Sequence, residues 1–149
     1  MPLPILRKDF LVDAVQLDEP GMDNADAILL IVAALGHATL WKLMVEARVR
    51  QLETLVEVHS LAELDIALAV DAKLLGVNHR DLHTFAIDMS LTEQIARRVP
   101  SDVVVVAESG IRSRDDIRRL GDAGAHAVLV GEHLMRAPSP GDALRELLA

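Results

Sequence analysis

The chain has 149 residues, 51% hydrophobic and 26% charged, with a net charge of −8. That length suits one globular domain with a real core, and the acidic balance supplies no basic stripe for nucleic-acid phosphates. The absence of cysteine excludes disulfide scaffolds, thiol catalysis and cysteine-type zinc sites, and no apolar run nears the roughly 20 residues that span a bilayer, so a soluble, cytoplasmic protein without a signal peptide is expected.

Short apolar runs recur along the chain: Pro4 to Leu6, Ala27 to Val32, Thr54 to Val58, Leu74 to Val77, Val103 to Ala107 and Ala127 to Val130. Several lack polar alternation, which suits strands covered on both faces, as in parallel sheets. After the first run, Asp13 to Ala25 holds Pro20-Gly21 where a helix would be, so only a short, frayed helix is expected there. Leu40, Leu43, Met44 and Ala47 share one face of a helix expected over 37–50. Ser60 and Glu63 read as a capping box ahead of Leu61, Leu64, Ala67 and Leu68. Ser113 and Asp116 play the same part ahead of Ile117, Leu120 and Ala123, and Gly124 is placed to stop that helix.

The strand starts, at residues 4, 27, 54, 74, 103 and 127, are too far apart for hairpins. They imply β-α-β crossovers, a parallel sheet and one domain over residues 1–149. An open doubly wound sheet and part of an eight-fold barrel both accommodate six such units. Polar residues at strand exits decide between them. Lys8, Glu57, Asn78, Glu108 and Gly131 stand at the C-terminal ends of successive strands. In a barrel such positions converge on one rim, where these enzymes keep their sites. The expected fold is therefore an α/β, (β/α)8-barrel type, incomplete, with about six β-α units.

Several of these positions carry chemistry. Lys8 at a strand exit is either a proton donor to a carbonyl oxygen or a surface lysine paired with Asp9. Glu57 lies inside an apolar strand, where a carboxylate is costly unless paired or functional; a neighbouring lysine is its structural alternative. Glu108 repeats the pattern, and two carboxylates with a lysine are the parts of a general acid–base site. Ser109-Gly110 and Gly131-Glu132 follow consecutive strands, where small residues let backbone N–H groups approach a phosphate. A tight turn is the plainer reading of Gly131. Asn78 is suited to orient a hydroxyl, and Arg80 to pair with Asp81. The six histidines show no metal-site spacing.

Five ordered motifs then point to a family. LRKDF (6–10), LVEVH (55–59), GVNHRDL (76–82), AESGI (107–111) and VGEHLM (130–135) resemble those of indole-3-glycerol-phosphate synthase, over essentially the whole chain and starting at that family's third strand. The resemblance implies ring closure of 1-(2-carboxyphenylamino)-1-deoxyribulose 5-phosphate with loss of carbon dioxide and water, in tryptophan biosynthesis, without cofactor or metal. It implies Lys8 as general acid on the ribulose carbonyl and Glu57 in later proton transfer and dehydration. Asn78 and Glu108 would hold the ribulose hydroxyls and the anilino region. Ser109, Gly110, Gly131 and the backbone N–H of Glu132 would bind phosphate, Phe10 and Leu30 would pack on the aromatic ring, and Arg80 matches a position of less defined role. Phosphoribosylanthranilate isomerase and the tryptophan synthase α subunit lack the LRKDF and LVEVH pair.

There are departures. The family's first two β-α units, with their Lys-Arg-x-Ser-Pro-type segment carrying a Glu and a Lys, have no counterpart here, and His79 stands where Asn is common. A complete barrel needs about 250 residues. Self-association, or a complementing N-terminal barrel fragment, is expected to cover the exposed strand edges, and a non-catalytic, phosphate-binding piece of a shared barrel is the alternative function.

Overall fold

The computed structural model describes residues 3–19 and 24–149. These form two compact units, Met1–Leu75 and Gly76–Ala149. The Pro20-Gly21 break lies outside the described residues. Just before it, a 3-10 helix at Ala14–Asp18 replaces the expected frayed helix, capped reciprocally by Asp13 and Gln16.

In the first unit, β1 (Leu6–Arg7), β2 (Ala27–Ile31) and β3 (Glu53–Val58) pair in parallel. Leu29 lies opposite Leu55, Leu30 opposite Val56, and Ile31 opposite Glu57. Partners in a parallel ladder point to the same face and successive residues alternate. Leu29, Ile31, Leu55 and Glu57 therefore share one face, and Leu30 and Val56 the other. Both sets are buried, as continuous apolar runs require.

Two helices cover this unit. α1 (Val32–Val49) contains a kink at Gly36, so its regular part begins at His37, where the apolar period starts. Leu40, Leu43 and Ala47 are buried and Met44 half-buried. α2 (Leu61–Ala69) is capped by Ser60, whose Oγ accepts from the Glu63 backbone N–H at 3.2 Å. The other half of the expected box is absent. Glu63 accepts instead from the backbone N–H of His59, at 2.9 Å.

β4 (Leu74–Asn78) crosses the unit boundary, and β5 (Val104–Glu108) pairs in parallel with β6 (Ala127–Leu129). The strands succeed one another in chain order. All six strands lie within two residues of their expected starts. In the second unit, Ala107 packs with Leu120 of α4 (Arg114–Asp122), and Val128 and Ile117 join that cluster. Glu108 is one residue on from Ala107, so its side chain is directed to the opposite face. Ser113 and Asp116 form the full capping box of α4, and Gly124 follows its C-cap. Sequence periodicity did not show α3 (Ser90–Ala96), α5 (Glu132–Arg136) or α6 (Pro140–Leu148). The first two are too short to display a period, and Ser139-Pro140-Gly141 reads as a turn although Pro suits a first helical turn.

Candidate active site

The first unit holds an ion pair at the C-terminal ends of its strands. Lys8 follows β1, and its Nζ lies 2.8 Å from Oε2 of Glu57 on β3. Glu57 is 2% exposed while the lysine head remains reachable at 38%. Lys8 is not paired with Asp9; that carboxylate takes Arg7 at 3.2 Å. The structural alternative for Glu57, a lysine partner, and the functional one are thus realised by the same contact. An ammonium donor and a buried carboxylate held this close can exchange a proton with each other and with a bound molecule.

His59, just beyond β3, stands on the other side of Glu57. Its Nε2 is 3.2 Å from Glu57 Oε1, and its Nδ1 is 3.2 Å from Glu63 Oε2. Burial alone pushes the imidazole pKa down; the neighbouring carboxylates of Glu57 and Glu63 outweigh it and raise the value to about 9. Glu57 thus has Lys8 hydrogen-bonded at Oε2 and the His59 ring in close contact at Oε1, without a hydrogen bond from Nε2. The sequence reading did not select His59 or Glu63. The available signal was spacing: His59 lies two residues beyond Glu57, at strand alternation, and Glu63 four beyond His59, at helical spacing.

Register corrects one expectation. Leu30 is fully buried on the face opposite Glu57, so it does not line the surface that Glu57 faces. Leu29 and Ile31 share the Glu57 face instead. Phe10 stands 70% exposed beyond β1.

The second unit gathers the anion-binding candidates. Ser109 Oγ donates to Asn78 Oδ1 at 2.8 Å, and that oxygen also accepts from the Arg80 N–H at 3.1 Å. Ser109 and Gly110 both adopt positive φ, +69° and +79°. A non-glycine residue there is strained, and such strain persists only where the surroundings enforce it. His79 supplies the enforcement. Its Nδ1 donates to the Ser109 carbonyl at 2.8 Å, its Nε2 meets Thr92 Oγ1 at 2.7 Å, and its backbone N–H donates to the Glu108 carbonyl. Since a carbonyl only accepts, the proton sits on Nδ1 and Nε2 accepts from Thr92. Burial pushes the His79 pKa down, which agrees with a neutral ring.

Extending the β5–β6 register two residues sets Gly110 beside Gly131, so both proposed phosphate segments leave the sheet at one level. Gly131 is the N-cap residue of α5. Arg80 does not pair with Asp81; its guanidinium binds Glu132, and the hydrogen bond to Arg80 holds that carboxyl below its ordinary range. Asp81 is instead engaged by the backbone N–H groups of His83 and Thr84 and by the Thr84 hydroxyl, in a tight loop. Glu108 is buried, at 1% exposure, at the end of β5.

Comparison with known proteins settles the lineage. The indole-3-glycerol phosphate synthase family model matches residues 1–147. The chain belongs to that family. It is 49% identical over 148 residues to the indole-3-glycerol phosphate synthase of Albidiferax ferrireducens, covering 99% of this chain and 56% of that protein. It is 50% identical over 146 residues to indole-3-glycerol phosphate synthase 2 of Streptomyces coelicolor, covering 98% of this chain and 57% of the relative. The chain thus spans just over half the length of these curated relatives. Among solved structures, thiamine phosphate pyrophosphorylase from Pyrococcus furiosus matches with a TM-score of 0.71 at 20% identity, over 97% of this chain and 65% of the other. A native KDPGal structure matches with a TM-score of 0.66 at 17% identity, over 92% of this chain and 62% of the other. At such identities the likeness is one of fold: an incomplete (β/α)8-barrel type. Among the described residues, no helix is long and apolar enough to cross a membrane.

Proposed function

We propose that the protein acts in the ring closure of 1-(2-carboxyphenylamino)-1-deoxyribulose 5-phosphate to indole glycerol phosphate, with release of carbon dioxide and water. Family membership supports the reaction, and one observation carries the residue assignment: the 2.8 Å contact between Lys8 Nζ and Glu57 Oε2 at the strand ends. In this reading Lys8 protonates the ribulose carbonyl oxygen as the carboxylate-bearing ring carbon attacks the carbonyl carbon. Decarboxylation then restores the ring, and Glu57 serves the proton transfer that lets the hydroxyl leave as water. No cofactor takes part.

Asn78 and Glu108 hold the ribulose hydroxyls and the anilino region. Ser109, Gly110, Gly131 and the Glu132 N–H bind the phosphate, and Phe10 packs on the ring, with Leu29 and Ile31 in the role first given to Leu30. A cytoplasmic setting accords with a phosphorylated biosynthetic intermediate as substrate. A segment bearing the family's first two β-α units, on this polypeptide or another, contributes the remaining Glu and Lys.

The test is turnover of the carboxyphenylamino-deoxyribulose phosphate by protein that includes those two units. Lys8→Ala should lower kcat by roughly 10²–10⁴-fold, the usual worth of a positioned acid. Unchanged turnover in Lys8→Ala would remove the assignment.

A further inference from the structure

Glu57 is held from two sides, and only one of them belongs to the acid–base reading above. The other is His59. Its two ring nitrogens each face a carboxylate, Glu57 Oε1 on β3 and Glu63 Oε2 on α2, both at 3.2 Å. Nδ1 hydrogen-bonds the Glu63 carboxylate, which only accepts, so Nδ1 carries a proton; Nε2 makes no hydrogen bond and meets Glu57 Oε1 as a close charge contact, which is favourable when the ring is the imidazolium. The His59 side chain is only 8% exposed, so the pair is shielded from competing water. Glu63 is itself fixed. It lies in the first turn of α2, and the oxygen that takes Nδ1 also accepts the His59 backbone N–H at 2.9 Å. Ring and backbone of one residue are thus clamped by one carboxylate oxygen.

We propose that His59 is a positioning residue: clamped by Glu63, its imidazolium anchors Oε1 of Glu57 and thereby holds Oε2 toward Lys8. This inference rests on the reading of Lys8 and Glu57 as the acid–base pair. The arrangement meets the buried carboxylate from both sides, Lys8 at Oε2 and the His59 ring at Oε1, and misplacement of a reacting group by even 1 Å is costly to rate. The charged groups that act on the ring are Glu57 and Glu63, and together they raise its pKa to about 9. Above that pH the ring loses the proton that serves one of the two contacts.

Two variants and two kinds of measurement test this. In protein competent for turnover, His59→Gln should lower kcat about 10-fold with KM within about twofold. The parent's activity should fall along an alkaline limb near pH 9, and Glu63→Gln should move that limb toward the ordinary imidazole value of about 6.5. A merely structural role would lower stability and leave the limb in place. Glu63 is partly exposed, so Glu63→Gln remains informative if His59→Gln does not fold.

The second measurement needs no turnover. NMR of the imidazole nitrogens in the chain should show both protonated at neutral pH, with a lower midpoint in Glu57→Gln and in Glu63→Gln. The Lys8 side-chain methylenes should gain mobility in His59→Gln. Parent protein without turnover, combined with these NMR shifts, would sink the functional reading and leave the positioning contact standing. An imidazole that titrates near 6.5 irrespective of Glu57 and Glu63, or a Lys8 side chain and an alkaline limb indifferent to His59→Gln, would overturn the proposal itself.

Discussion

Gly110 and Gly36 both adopt left-handed backbone, yet they differ in what a methyl group would meet. At Gly110, with φ +79°, a Cβ would lie 2.6 Å from Cγ2 of Ile87. At Gly36, with φ +63°, nothing lies within 4 Å. Gly36→Ala should therefore cost only the backbone strain, about 1–2 kcal/mol. Gly110→Ala should cost more and also displace the 80–87 loop, and Ile87→Ala should recover part of the difference in urea melts. Equal losses at the two sites would show that the Ile87 contact gives way freely. His59 sets a second expectation at this scale. Its folded pKa of about 9 exceeds the unfolded value near 6.5. The stability it contributes is complete below about pH 6.5 and is lost as pH rises through about 9, an effect of order 3 kcal/mol. Denaturation at pH 6 and pH 10 should show it, and Glu63→Gln should flatten the dependence. His79 acts in the opposite sense: its lowered pKa favours the neutral ring, so acidification below about pH 6.5 destabilises the fold.

Two of the three helix starts with serine caps, those of α2 and α4, behave as different devices. In α4, Ser113 and Asp116 satisfy each other's backbone donors, so the cap is self-contained. Ser113→Ala should cost about 1 kcal/mol and affect little beyond α4. In α2, Ser60 caps the helix while Glu63 serves His59. Ser60→Ala should therefore cost a similar amount, about 1 kcal/mol, and in addition lower the His59 titration midpoint, because the first turn holding Glu63 loosens. Calorimetry of both variants with the imidazole titration of the second distinguishes these outcomes. A His59 midpoint unmoved by Ser60→Ala would mean that Glu63 is held by other contacts.

Across the molecule, the segments proposed to bind the anion belong wholly to the second unit, since Ser109, Gly110, Gly131 and Glu132 all follow β5 and β6. Millimolar inorganic phosphate should therefore shift the amide resonances of these residues whether or not the chain turns over substrate. His79→Ala should weaken that response by freeing the Ser109 carbonyl, although His79 offers no group of its own to the anion. Phosphate shifts that spread evenly over the surface, or none at these amides, would show that the strained turn is not an anion cradle.

The number of strands, their parallel sense and the barrel-type fold were legible in the chain's local patterns. Apolar runs without alternation demand cover on both faces, and strand starts 20 or more residues apart argue against hairpins. The family motifs were equally legible, because Lys8, Glu57, Asn78 and Glu108 interrupt or end those runs where a polar group has no packing reason to be. Pairings were not. Arg80 was expected on Asp81, its neighbour in sequence, but its partner is Glu132, 52 positions away. Leu30 was expected against the aromatic ring, and only the ladder register shows that its neighbour Leu29, not Leu30, shares a face with Glu57. His59 read as the tail of a motif, and its charge comes from carboxylates on a strand and a helix that folding brings to either side of it. Period and composition act locally and can be read from neighbours, whereas side-chain partnership and face depend on which strands lie together, and that is decided in three dimensions.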